Sequence, residues 1–190
     1  MNSQELNKAT DDLGYVRNLV EESDSPHSPA TIYFLWAAII LVGFPLQDFA
    51  PQVVPLFWTI AGPVGFLISA AIGWRHSLKT GQMQRRTGLS YSYHFGAVLA
   101  AIFLAVPLIA DGSITAPSFG KFVTLILALG YFLAGLHLER PLGWVSLAML
   151  IGYAVLLFVP TYSCTITGIL VAVAMTVTGL GIGRHATVKD

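Results

Sequence analysis

Residues 54–74 read VPLFWTIAGPVGFLISAAIGW, a run of 21 residues without a charged side chain. A helix that rises 1.5 Å per residue needs about 20 mainly apolar residues to cross the hydrocarbon core of a bilayer. Five other segments of the chain meet the same requirement. The six predicted spans are 31–49, 54–74, 93–110, 119–138, 142–160 and 162–183. The sequence therefore predicts an all-α, polytopic membrane protein with a six-transmembrane-helix bundle over residues 31–184.

Charged residues are scarce and mostly lie outside the predicted spans. Of 190 residues, 55% are hydrophobic and 11% are charged, whereas roughly a quarter of the residues of an average soluble domain are charged. Most of the charges fall in residues 1–24, 75–86, 139–140 and 184–190. This composition excludes an ordinary soluble fold. The formal net charge of zero also argues against a basic surface that would bind nucleic acid.

The sequence contains no recognisable arrangement of catalytic residues. Ser90, Ser92 and His94 lie close together, but no carboxylate is near them and no glycine elbow surrounds the serines. The single cysteine, Cys164, can form neither an intrachain disulfide nor a cysteine metal site. We therefore expect that the protein is not an enzyme.

Basic residues predict the orientation, because Lys and Arg concentrate in the cytoplasmic loops of membrane proteins. With six spans, the N-terminal segment, the loops after the second and fourth spans and the tail 185–190 share one side. That side carries Arg75, Lys79, Arg85, Arg86, Arg140, Arg184 and Lys189, and the opposite side carries Lys121 alone among basic residues. We expect an integral protein of the plasma membrane or bacterial inner membrane, with both termini cytoplasmic.

A weak repeat relates the even-numbered spans, in each of which small residues precede a terminal arginine. The three segments are 65–70, 130–135 and 174–179. Small residues let helix backbones approach closely in lipid, so the even-numbered spans are candidates for the centre of the bundle. The six spans would then form three hairpin repeats. The alternative is that helices rich in Ala and Gly align by chance.

Residues 1–30 form the predicted cytoplasmic N-terminal segment. Apolar residues recur at helical spacing within residues 5–22, which predicts a short amphipathic helix whose Leu13, Val16 and Val20 are candidates for a partner contact. Its acidic bias disfavours adsorption to an anionic leaflet and favours docking onto the basic loop 75–86 or onto a partner protein. The Ser- and Pro-rich residues 23–29 are a predicted linker.

The second predicted span contains a candidate bend near its middle, at Gly62, Pro63 and Gly65. Proline removes a backbone hydrogen bond and glycine permits a bend, and an interrupted helix near the bilayer midplane is typical of transporter sites. These residues are candidates for a hinge or a solute path. The alternative is a kinked helix without a site.

Histidines lie at the predicted cytoplasmic ends of four spans, and His94 and His137 are the pair placed furthest inside. Neutral imidazoles from facing helices bind haem or transition metals in membrane proteins. The two residues are therefore candidate cofactor ligands, although no close pair spacing indicates a metal. The alternative is that histidine is stable at a headgroup boundary because it has an apolar body and a polar tip.

Ionisable residues within the spans are nearly absent. Lys121 lies near one interface, and Glu139 and Arg140 lie at the other, where we expect them to pair with each other or to face water. Aromatic residues near the helix ends, Tyr33 and Tyr91 among them, are expected in interfacial belts. The pattern argues against a proton relay and leaves a passive route for a neutral solute open.

Two functions from different classes follow from the sequence. The first is a non-enzymatic accessory or regulatory subunit that contacts the lipid bilayer and binds a membrane protein, a cytoplasmic protein or copies of itself. The second is a channel or facilitator for a small neutral solute. A membrane protein that binds haem or a transition metal through His94 and His137 is a further alternative; otherwise no cofactor is expected.

Overall fold

The computed structural model describes residues 28–80 and 85–187, whose regular secondary structure is entirely helical. The predicted helix at 5–22, with Leu13, Val16 and Val20, lies outside the described residues. The six main helices are α1 Ala30–Phe49, α2 Val54–Thr80, α3 Arg85–Ala105, α4 Ala116–His137, α5 Leu142–Phe158 and α6 Ser163–Thr187. The all-α prediction is confirmed for the described part of the chain.

Five of these helices are long and apolar enough to cross a membrane. They are α1, α2, α4 and α6, together with α3 extended through a further helical turn, Pro107–Ala110. The sixth, α5, is equally apolar but has only 17 residues. The protein is therefore an integral membrane protein built as a helical bundle, and crossing by α5 stays a prediction.

Local sequence explains where several helices begin and end. Pro107 has no backbone N–H, so it cannot donate a helical hydrogen bond, and α3 ends two residues before it. Thr115 begins α4 by accepting a hydrogen bond from the Ser118 N–H at 3.4 Å. Between α5 and α6 the chain turns at Tyr162, which has a φ angle of 55°. Thus prolines, a capping threonine and one left-handed residue delimit the helices.

Four helices, α1, α4, α5 and α6, supply the buried core. Helix α1 packs along α6, α6 along α5, and α5 along α4. The core cluster of buried apolar side chains comprises Tyr33, Ala37, Ile40 and Phe44 of α1, Ala128 and Ala134 of α4, Leu142, Val145 and Met149 of α5, and Val171, Ala172 and Met175 of α6.

Glycines bring the core helices into close contact. A Cβ atom added to Gly168 of α6 would lie 2.6 Å from the Cβ atom of Phe44 on α1. A Cβ atom added to Gly135 of α4 would lie 2.7 Å from the backbone nitrogen of Gly143 on α5. Such separations leave no room for a side chain, so van der Waals packing between backbones holds these pairs together.

Helices α2 and α3 lie at the edges of the bundle. Helix α2 packs mainly on α1, and α3 mainly on α4. Only 6% of each of these spans is buried, against 28% for α1 and 33% for α6. The expectation that every even-numbered span occupies the centre is wrong for α2. Helix α1, which pairs with α2 in the predicted first hairpin, is central instead because it packs on both α2 and α6. Consecutive helices do pack in pairs, but the repeat itself stays a prediction.

Candidate functional site

Glu139 is the only carboxylate among the described residues that is buried. It lies in the turn between α4 and α5, where its backbone N–H donates to the Ala134 carbonyl at 2.9 Å. Its side chain is 5% exposed, whereas the neighbouring Arg140 is exposed. The expectation that Glu139 pairs with Arg140 or faces water is therefore wrong. The turn directs the carboxylate into the bundle and the guanidinium away from it.

Three donors from distant parts of the chain converge on this carboxylate. The Tyr33 hydroxyl donates to Oε2 at 3.2 Å and the Tyr91 hydroxyl donates to the same oxygen at 3.0 Å. The Ser28 backbone N–H donates to Oε1 at 3.0 Å. We call Glu139, Tyr33, Tyr91 and the Ser28 N–H the Glu139 node. A buried carboxylate needs such donors to offset the loss of its hydration.

The Glu139 node joins three helices at one end of the bundle. Tyr33 belongs to α1, Ser28 immediately precedes α1, and Tyr91 belongs to α3. Glu139 itself follows α4. An ionisable residue buried in a membrane protein is a candidate functional residue. The sequence pattern predicts a helix-boundary position for Glu139 and an aromatic-belt position for the two tyrosines, so this site could not be predicted from it.

His94 packs on α4 near the node. Its Nε2 atom lies 2.8 Å from the Gly130 carbonyl oxygen. A carbonyl oxygen can only accept a hydrogen bond, so Nε2 carries a proton. In the neutral ring Nδ1 is then unprotonated. The ring also stands edge-on to Phe95, with centroids 5.2 Å apart. This contact fixes the orientation of His94 in the α3·α4 interface.

The second predicted histidine, His137, is the last residue of α4 and is exposed. It follows Gly130 by seven residues, about two helical turns. Within the described residues, no group of three or more His, Cys, Asp or Glu side chains could hold a metal ion. That finding does not test binding by two histidines, and the haem or metal pair stays a prediction.

The predicted bend lies within a helix that continues without interruption. Helix α2 contains Pro63 and runs from Val54 to Thr80. Gly65 faces α1, where an added Cβ atom would lie 2.8 Å from the Ile39 side chain. An added Cβ atom at Gly62 would have no neighbour within 4 Å. Gly65 is therefore a packing position, and Gly62 borders open space; the solute path or hinge stays a prediction.

A hydrogen-bonded chain accompanies Gly65 in the α1·α2 contact. The Trp36 indole N–H donates to the Ser69 hydroxyl oxygen at 3.0 Å. Ser69 in turn donates to the Gly65 carbonyl at 2.8 Å. The indole of Trp36 is thus satisfied inside the bundle, as its intermediate burial requires.

Asp48 makes the polar contact at the opposite end of α1. Its Oδ2 accepts hydrogen bonds from both the backbone N–H and the hydroxyl of Thr165, each at 2.7 Å. Thr165 lies in the first turn of α6, where backbone N–H groups have no partner within the helix. Asp48 therefore caps α6 from a different helix, a structural role.

An open, apolar groove of about 200 Å³ lies between α1 and α6. Its lining residues are Leu41, Ile169, Ala172, Val173, Thr176 and Val177. The Thr176 hydroxyl donates to the Ala172 carbonyl at 2.8 Å within its own helix. The groove is thus an apolar surface suited to a lipid chain.

These features combine a polar node that joins three helices with a mainly apolar bundle. The node can position helices, since each of its contacts is a hydrogen bond between different elements. The chain matches no protein-family model and no curated protein, and its fold matches no solved structure.

Proposed function

We propose that this chain is a non-enzymatic accessory or regulatory subunit of a membrane assembly. In this proposal it acts through helix packing and through the acidic helix predicted at residues 5–22. The observation that carries the proposal is the exposure of α2 and α3, each with only 6% of its span buried. Most of the surface of these two helices is not buried within the bundle and is therefore available to a partner.

The surface of α2 supports contact with another helix. Gly62 and Gly73 lie eleven residues apart, about three helical turns, and so share one face. A Cβ atom added at either position would have no neighbour within 4 Å. Because glycines let backbones approach closely in lipid, this face suits a partner helix.

The position of Ser28 supports a contact made by the N-terminal segment. Ser28 is held at the Glu139 node. Six peptide units separate it from residue 22 and span at most about 20 Å. A helix over residues 5–22 would then end within about 20 Å of the bundle end that carries Arg75 and Arg140. Its acidic residues would complement a basic surface on the bundle or on a partner.

The test is purification of the assembly in mild detergent, followed by mass determination of the intact complex. We expect a second protein, or further copies of this chain, that is lost on deleting residues 1–24. Leu13→Gln combined with Val20→Gln should have the same effect. The matched control is Asn18→Gln on the opposite face of the predicted helix. A monomer with no bound protein, or a complex unchanged by the deletion, would contradict the proposal.

We also propose that α5 crosses the membrane, which gives six crossings with both termini in the cytoplasm. The distribution of Lys and Arg supports this orientation. Single cysteines in a Cys164→Ser background provide the test with an impermeant thiol reagent on intact cells. We expect labelling at Ser113→Cys and Thr161→Cys, and labelling at Arg140→Cys only after permeabilisation. Labelling of positions 140 and 161 from the same side would contradict the crossing by α5.

A further inference from the structure

We propose that the Glu139 node is a latch through which the segment before α1 controls the position of α3. The inference rests on the proposed function, because it assigns the effect of a partner that binds the N-terminal segment. The Glu139 carboxylate accepts hydrogen bonds from both the segment before α1 and helix α3. Its Oε1 binds the Ser28 N–H and its Oε2 binds the Tyr91 hydroxyl.

In the described part of the chain, α3 packs less extensively on its neighbours than the core helices do. It packs on α4 through Val98 against Gly130, through the His94 hydrogen bond, and through Phe95 against Tyr131 at a ring separation of 5.5 Å. Together with Tyr91, these contacts lie within residues 91–98 of α3. Helix association in a bilayer gains little from burying apolar surface, because lipid is equally apolar. Hydrogen bonds and local packing therefore determine whether α3 stays in place.

Near the far end of α3 two large side chains are exposed, whereas the last residue, Ala105, is buried. Phe103 and Leu104 are 52% and 79% exposed. The helical hydrogen-bonding pattern is then interrupted before Pro107. A helix held to α4 mainly through residues 91–98 can separate from α4 without disturbing the four-helix core. Release of the node would make this separation more frequent.

The coupling passes through a short physical path. Displacement of Ser28 removes the donor from Oε1 and frees the carboxylate to shift. A shift of the carboxylate lengthens the hydrogen bond that Tyr91 donates to Oε2. Tyr33 also donates to Oε2, so loss of the Ser28 donor weakens the hold on the carboxylate without removing it. A partner that displaces Ser28 from the carboxylate would thus make separation of α3 more frequent.

The test measures the exposure of the α3·α4 contact in the whole chain. Val98→Cys in a Cys164→Ser background is labelled with N-ethylmaleimide in detergent, and the rate reports how often α3 separates. Ser28→Pro removes the backbone N–H, whereas Ser28→Ala retains it. Both variants lack the hydroxyl, which interacts with Tyr91, so the comparison between them isolates the N–H. We expect labelling about three- to tenfold faster with Ser28→Pro than with Ser28→Ala, the effect of losing one interhelical hydrogen bond in a membrane.

Two further variants complete the experiment. Tyr91→Phe should raise the labelling rate to a similar degree, and adding Ser28→Pro to it should have little further effect, because both act through Glu139. A cysteine at Thr167, which is fully buried between α5 and α6, reports on the core and should label at an unchanged rate.

Equal rates for Ser28→Pro and Ser28→Ala would overturn the coupling, and an unchanged rate with Tyr91→Phe would overturn the latch. Faster labelling at position 167 to the same degree would show that the whole bundle opens, which also contradicts release of α3 alone. The measurement needs no partner. The latch and the proposed function can therefore fail independently. The labelling result can support the latch when no partner co-purifies, and a partner can co-purify when the labelling rates are equal.

Discussion

Asp48 Oδ2 accepts two hydrogen bonds from Thr165, one from its backbone N–H and one from its hydroxyl, and both measure 2.7 Å. The two residues are separated by 117 positions in the sequence. This pair fixes the end of α1 to the beginning of α6, the two helices that share the largest part of the core.

Loss of the Asp48 carboxylate should destabilise the bundle. Asp48→Ala leaves the Thr165 N–H without its acceptor, and losing a helix cap costs about 1 to 2 kcal/mol. Unfolding in detergent would measure the change. Asp48→Asn retains an acceptor oxygen and should cost less. The control is Asp111→Ala, because this exposed carboxylate bonds to Ser113 within its own loop. An Asp48→Ala variant as stable as the control would contradict the capping role.

Gly168 should not tolerate a side chain. A methyl group there would lie 2.6 Å from the Phe44 Cβ atom and 3.4 Å from the Ile40 carbonyl oxygen. Gly168→Ala should therefore separate α1 from α6 and cost about 1 to 3 kcal/mol, the usual effect of overpacking. Gly181→Ala on the same helix meets no neighbour and should be neutral or slightly stabilising. Equal stability of the two variants would exclude the close α1·α6 contact.

Gly65 and Gly62 should respond differently to leucine. Gly65→Leu pushes against Ile39 and Trp36 and should reduce stability, whereas Gly62→Leu should leave the free energy of unfolding nearly unchanged. This makes Gly62→Leu the cleaner test of a solute path. If neutral solutes cross liposomes that contain the protein, a path beside this segment predicts lower flux with Gly62→Leu. Flux unchanged in that variant would remove Gly62 from any path.

The two histidines should also differ. His94→Ala removes the hydrogen bond to the Gly130 carbonyl and should destabilise the α3·α4 contact by about 0.6 to 1.7 kcal/mol. His137→Ala changes an exposed side chain and should leave stability within about 0.5 kcal/mol. Binding of haem or a metal by the pair predicts a different result, since both variants would then lose a Soret band or bound metal. Absorption spectra and metal analysis of the purified variants separate the two cases.

The α3·α4 contact predicts a disulfide. A Cβ atom at Gly130 would lie 3.8 Å from the Val98 Cβ atom, which equals the mean separation of about 3.8 Å in disulfides. Val98→Cys combined with Gly130→Cys should crosslink on mild oxidation, in a Cys164→Ser background. Ala97→Cys, on an exposed position of α3, combined with Gly130→Cys should not. Crosslinking of both pairs to the same extent would contradict the assigned face of α3.

The helical fold and the approximate positions of the helices could be predicted from the sequence, because length and apolar composition determine which segments enter a bilayer. The first predicted span, 31–49, corresponds to Ala30–Phe49, and the fourth, 119–138, to Ala116–His137. Helix α3 begins at Arg85, eight residues before the predicted third span, 93–110. Polar residues in its first two turns lower the hydropathy there without preventing a helix.

The packing of the helices against one another in space could not be predicted, and the Glu139 node depends on this packing. Tyr33 and Glu139 are 106 residues apart, and Tyr91 and Glu139 are 48 apart. A tyrosine at a helix end has the same local sequence pattern whether it faces headgroups or a buried carboxylate. Only the packing of α1 and α3 around the end of α4 distinguishes the two.

The short length of α5 has a consequence for the surrounding lipid. Its 17 residues rise roughly 25 Å, about 5 Å less than the hydrocarbon core of a typical bilayer. Trp144 and Phe158, near its two ends, are 71% and 83% exposed. If α5 crosses, lipid beside it must thin to match, and such hydrophobic mismatch distributes proteins among membranes of different thickness. The protein would then be most stable in a thin bilayer, and short-chain lipids should favour its folding over long-chain ones.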